Sequence, residues 1–172
     1  MTTSTFVRWS GLAAMLAGLV TAAGPLLGED RDPALEIMGF LVRATLIAIA
    51  LVGIYIFQKD EAGVLGLIGA ALAFVGNLGM LIDFFIGGSL YSLGLILLAV
   101  ASLRARKFPR WVPILWMITI VVGFPGFFVE SLERTAFVAG ALVLALAFVG
   151  AGYTMWSQSE EGSSNAALEN AD

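Results

Sequence analysis

The sequence contains no cysteine and no histidine. Without cysteine it can form no disulfide, no thiolate metal site and no cysteine nucleophile. Without histidine it lacks the usual haem, zinc and copper ligands and the usual near-neutral proton shuttle. Charge is scarce too: 13% of residues are charged, against 59% hydrophobic. A mean hydropathy of +0.94 leaves too little polar surface for a soluble domain, and the chain reads as an integral membrane protein. No pair of hydroxyls or carboxylates has a spacing that suits catalysis, and Glu160-Glu161 reads as a solvated end, not a metal site. We therefore expect no enzyme, no metal and no cofactor. The net charge of −4 comes largely from the C-terminal tail, and nothing in the composition supports a nucleic-acid partner.

What the chain does have is long apolar runs. At roughly 20 apolar residues per span, 172 residues hold about six crossings with short loops. The runs cover about 6–27, 34–57, 63–82, 84–103, 111–129 and 135–156. They predict an all-α helical bundle in the membrane, followed by a disordered acidic tail over 157–172. Pro25 ends or bends the first run, and Thr21-Ala22-Ala23 also fits a signal-peptidase site as a rival reading. Glu29-Asp30-Arg31-Asp32-Pro33 makes an acidic loop, and Gln58-Lys59-Asp60-Glu61 closes the second run. The third and fourth runs form an antiparallel hairpin through a tight connection that includes Gly87-Gly88-Ser89. Gly123-Phe124-Pro125-Gly126 should kink or unwind the fifth run near its far side. The string Ala71–Gly76 recurs at Ala145–Gly150 and would fit an inverted repeat. The flanking helices align poorly, however, and such strings recur by chance in this composition.

The loop Arg104-Ala105-Arg106-Lys107-Phe108-Pro109-Arg110 orients the whole. It holds four of the nine Lys and Arg residues, and a short loop of that kind resists translocation. Counting crossings from it puts both termini in the cytoplasm, together with Arg8 and Lys59. Trp9, Tyr55, Trp111, Tyr153 and Trp156 then fall near the cytoplasmic boundary, where interfacial aromatics belong.

The segment Gly53-Ile54-Tyr55, Gln58, Ala62-Gly63, Leu65-Gly66-Leu67, Gly69 and Ala71–Gly76 resembles a pattern in uncharacterised multi-pass membrane proteins of bacteria, Chloroflexi and Actinobacteria in particular. The resemblance implies residence in a bacterial plasma membrane and nothing catalytic, and it carries over no functional residue.

Two features inside the bilayer merit attention. Arg43 lies about eight residues, or roughly 12 Å, into the second run, where a charge costs a few kcal/mol unless it snorkels, pairs or meets water. Glu36, Asp83 and Glu130 are candidate partners near the same end, and Asn77 could join them. Arg43, Asn77, Asp83 and Glu130 thus make a candidate polar cluster, read either as an anion- or proton-coupled pocket or as a structural ion pair. The second feature is the small-residue faces: Gly66, Ala70, Ala73 and Asn77 on one stripe, Gly69, Ala73 and Gly76 on another. They suit close helix packing within the chain more than a dedicated dimer face. The expected function is a non-enzymatic accessory, assembly or stabilising subunit whose partners are the lipid bilayer and a membrane protein or second copy. The alternative is a small transporter or channel around Arg43.

Overall fold

In the computed structural model the described residues are 3–26, 32–127 and 129–169; of Leu26, Phe124, Phe127, Glu130 and residues 159–169 only the backbone is described. The elements are α1 (Thr3–Leu26), α2 (Pro33–Gly79), α3 (Phe84–Ala105), α4 (Trp111–Gly123), 3-10 turns at Phe124–Phe127 and Glu130–Leu132, and α5 (Glu133–Glu169). All are helical. Four helices are long and apolar enough to cross a membrane, and α4 is a shorter apolar helix. Their outward faces carry Val64, Phe85 and Val121 at 70% exposure or more, a surface that needs lipid as its solvent.

The helix ends follow from local chemistry. Asp32 accepts from the Ala34 N–H at 2.9 Å ahead of Pro33, whose fixed φ suits a first turn. Asp83 accepts from the Ile86 N–H at 2.8 Å and so caps α3. At the other end of α3, Arg106 takes a left-handed conformation (φ 56°), and its N–H donates to Ser102 O at 3.0 Å. As the sequence predicts, α4 gives way to a 3-10 turn at Phe124-Pro125-Gly126-Phe127.

Several boundaries differ from those expected. The second and third apolar runs lie on one element, α2, whose 47 residues include a non-helical Gly63 at φ 58° and ψ −155°. Gln58–Glu61 is accordingly helix and not loop. The connection to α3 is the turn at Met80–Asp83, and Gly87-Gly88-Ser89 sits inside α3. The backbone of α5 is helical to Glu169, into the tail for which composition predicts disorder; residues 170–172 lie outside the described residues, as do Leu27 and residues 28–31 of the acidic loop.

The main helix pairs are antiparallel and use small residues. The second arm of α2 lies along α3, with Gly69 against Leu98, Ala73 against Gly94 and Gly76 against Tyr91. The pair α1 and α5 meets through Gly11 and Gly152 and through Gly18 and Ala145, and α5 meets α4 through Gly150 and Trp111. Apolar burial drives little inside a bilayer, because lipid tails are as apolar as leucine, so close backbone contact does the packing. The bend at Gly63 folds the two arms of α2 side by side, and Asn77 of the second arm donates to Ala44 O of the first at 2.7 Å. Trp116, Phe148, Leu51, Ile54, Leu95, Leu98 and Met155 fill the centre. Phe108 anchors the basic loop to it, with ring centroids 5.1 Å from Phe57 and 6.1 Å from Trp116.

Three glycines separate conformation from space. A Cβ at Gly63 would meet nothing within 4 Å, so only its positive φ resists substitution; a Cβ at Gly94 would strike the Ala73 backbone; Gly88, mid-helix, is open. Gly63→Ala should cost about 1–3 kcal/mol through backbone strain, and Gly94→Ala about 1–3 kcal/mol through overpacking. Gly88→Ala should stabilise by about 0.5–1 kcal/mol. Unfolding midpoints of the three variants in one detergent check the order, and a Gly63→Ala variant as stable as Gly88→Ala would contradict the bend.

Candidate functional site: a polar layer around Arg43

Most hydroxyls in this bundle are spoken for. Thr21, Thr45, Ser89, Ser102, Thr119 and Thr154 each donate to the carbonyl four residues earlier, which satisfies the hydroxyl without leaving the helix. The polar groups outside that scheme define the candidate sites.

The first group surrounds Arg43, ten residues beyond Pro33 on α2 (43 − 33) and so about 15 Å along the helix. Its neighbour Ala44 offers the carbonyl that Asn77 takes, so the hairpin brings Arg43 and Asn77 to one level. Gly76, next to Asn77, lets the α3 backbone approach at Tyr91, so Tyr91 stands at the same level of the bundle. Tyr91 is 7% exposed, and its hydroxyl has no hydrogen-bond partner among the described residues. The Arg43 guanidinium lies 4.9 Å from the Phe40 ring centroid, a cation–π contact. The layer is thus Arg43, Asn77, Tyr91 and Phe40.

The other expected members stand apart. Asp83 is exposed, its carboxylate engaged in capping α3. Glu36 is exposed two helical turns from Arg43, and the Glu130 side chain lies outside the described residues. No ion pair to Arg43 forms among the described residues. The helix-packing positions are all taken up within the chain: Gly66 faces Ala62 and Ala101, Gly69 faces Leu98, Gly76 faces Tyr91, and Ala73 is fully buried.

Sequence reasoning passed over a second group at the opposite end. Gln58 is fully buried, and neither amide atom has a partner; Ser10 Oγ and Trp116 Nε1 are also buried without one among the described residues. Gln58 follows Ile47, Leu51 and Ile54 on one stripe, at steps of four, three and four. That spacing was the available signal, hidden by reading Gln58 as the start of a charged loop. Tyr91 was legible in the same way, through its place on the stripe Gly87, Tyr91, Gly94 and Leu98. Among the described residues no group of three or more Asp or Glu could hold a metal ion.

The two amides predict opposite responses. Asn77→Leu removes the inter-arm hydrogen bond and should cost about 1 kcal/mol, whereas Gln58→Met removes an unsatisfied buried amide and should stabilise by about 1–3 kcal/mol. Thermal and denaturant unfolding of both variants, in one detergent, supplies the check. Comparison with known proteins finds no matching family model, curated protein or solved structure.

Proposed function

We propose that this chain crosses the plasma membrane six times with both termini in the cytoplasm, and serves as a non-enzymatic accessory subunit of a membrane complex. Six crossings come from counting the arms of α2 as two and letting α4 with its 3-10 extension complete a shorter one. The bend after Glu61, the basic loop and the end of α5 share one side in this reading. The Lys107–Glu61 ion pair at 2.9 Å and the Arg8 guanidinium 4.2 Å from the Trp156 ring support that grouping. Side follows from charge, since Lys59 and the four cations of the loop gather there. The bacterial setting rests on the resemblance in the α2 segment.

The observation that carries the accessory role is the free outer arm of α2. Residues Asp32 to Gly39 are all exposed, and Gly39 has nothing within 4 Å of its would-be Cβ. Lipid alone suits Leu35, Ile37 and Met38, but Glu36 and Arg43 share a face of that arm and gain nothing from acyl chains. A neighbouring subunit with complementary polar groups satisfies both.

A second reading draws on Tyr91. Among the described residues, a buried hydroxyl without an acceptor stands at the level of an arginine without a carboxylate, an arrangement that suits an anion and supports a small transporter or channel around Arg43.

Purification from native membranes in mild detergent, followed by mass spectrometry, should find a partner at fixed stoichiometry that Arg43→Gln releases without unfolding the chain. A protein that emerges alone, with flux into liposomes that Arg43→Gln abolishes, overturns the accessory role in favour of the transporter. The topology has a separate test: because the chain lacks cysteine, Ser157→Cys and Lys59→Cys should each react with an impermeant maleimide only after the membrane is opened.

A further inference from the structure

The basic loop contributes more than orientation. It lies against the Gly150–Gln158 stretch of α5 and borders an open cavity of about 550 Å³, lined by Arg106, Lys107, Trp111, Tyr153, Ser157 and Gln158 among others. A volume of that order suits a small-molecule headgroup. We propose that this cavity binds the headgroup of an anionic phospholipid, with the phosphate held between Arg106 and Lys107.

Three observations carry the assignment. The first is charge: Arg106 has no ion pair among the described residues, and the Lys107 ammonium, though paired with Glu61, is only partly screened at 38% exposure. Arginine supplies a planar fork of donors that matches phosphate oxygens, and lysine adds a point charge. The second is depth. Trp111 and Tyr153 line the cavity at 46% and 66% exposure, and amphipathic rings of this kind sit at headgroup level. Gly150 is part of that construction, because a Cβ there would strike the Trp111 ring. The third is backbone conformation. Arg106 is the one non-glycine residue among the described ones with a positive φ, at a cap position where glycine serves better. An arginine there, in place of glycine, sets a guanidinium on the cavity wall.

The lining is mixed, with Phe108, Pro109 and the aromatic rings beside the cations. A free phosphate would leave those surfaces wet. A lipid places its phosphate on the cations and its glycerol and upper acyl carbons against the rings, and basic pockets between helices on the cytoplasmic side are a known setting for such headgroups. Placement in the cytoplasmic leaflet rests on the topology proposed above; the binding chemistry does not.

The test uses the full chain in detergent and native mass spectrometry with added phosphatidylglycerol, phosphatidylcholine or inorganic phosphate. Phosphatidylglycerol should be retained over phosphatidylcholine, and Arg106→Gly should weaken that retention about fivefold, the usual effect of one cation near an anionic surface. The glycine variant relieves the left-handed residue, so its unfolding midpoint should hold or rise, and a loss of binding then reports the guanidinium and not misfolding. Equal retention of both lipids, or an unchanged Arg106→Gly variant, overturns the proposal. Displacement of phosphatidylglycerol by inorganic phosphate at equal concentration overturns the lipid assignment in favour of a soluble phosphate ligand. Should Ser157→Cys label from outside while selectivity persists, the topology fails and the headgroup site stands, in the outer leaflet.

Discussion

The bundle depends on one backbone conformation, the left-handed break at Gly63. Left straight, the 47 residues of α2 would run about 70 Å, more than twice the hydrocarbon thickness of roughly 30 Å. A φ of 58° with ψ −155° belongs to a region that is open to glycine and closed to nearly everything else. The break returns the second arm along the first, and each later contact assumes that return. Asn77 reaches Ala44 only because the arms lie side by side. Once the second arm is placed, the sequence of small residues along it sets where α3 must lie, with Gly69, Ala73 and Gly76 admitting its backbone. Arg43, Asn77 and Tyr91 come to one level as a consequence of that chain of contacts, although 48 positions separate the first from the last (91 − 43).

This dependence explains what could be read from the chain and what could not. Apolar runs and small-residue faces are local patterns, so the helical membrane class, the packing role of Gly66 through Gly76 and the unwinding at Gly123–Gly126 were all legible. The hairpin connection was not, because Gly87-Gly88-Ser89 has the composition of a turn. What keeps it helical is the Asp83 cap, which starts α3 ahead of it, and the approach of Gly87 to Gly79 and Met80. Gln58 was misplaced for a related reason. Three charged residues follow it and read as loop, yet the helix continues through them and carries the amide into the core. The partners of Arg43 were unreadable in principle, since several carboxylates lie within a plausible sequence distance and only the fold selects among them.

The two ends of the bundle treat charge differently, and solvent accounts for the contrast. At the basic end Arg104, Arg106 and Arg110 are exposed, and in the proposed topology they meet water and headgroups, where cations are stabilised at little cost. The ion pair of Lys107 with Glu61, at roughly two-fifths exposure on each side, adds about 0–1 kcal/mol at most. Its use is positional: with Phe108 buried beneath it, it holds the loop against the bend of α2.

Arg43 has no carboxylate partner among the described residues, and donor accounting shows what its surroundings offer. A guanidinium presents five N–H donors. Asn77 gives an Nδ2–H to Ala44 O and keeps its Oδ1 as an acceptor, and Asp83 accepts from the Ile86 N–H through one carboxylate oxygen. The Asn77 Oδ1 can thus serve an arginine donor while the hairpin bond stays in place, whereas drawing Asp83 away would uncap α3. The Phe40 face offers an attraction of about 0.5–2 kcal/mol but accepts no hydrogen bond in the plane of the fork. The Tyr91 hydroxyl could accept one. Donors beyond these suit an acceptor from outside this chain, and both functional readings draw on that. They differ only in whether the acceptor is a side chain that stays or an anion that leaves.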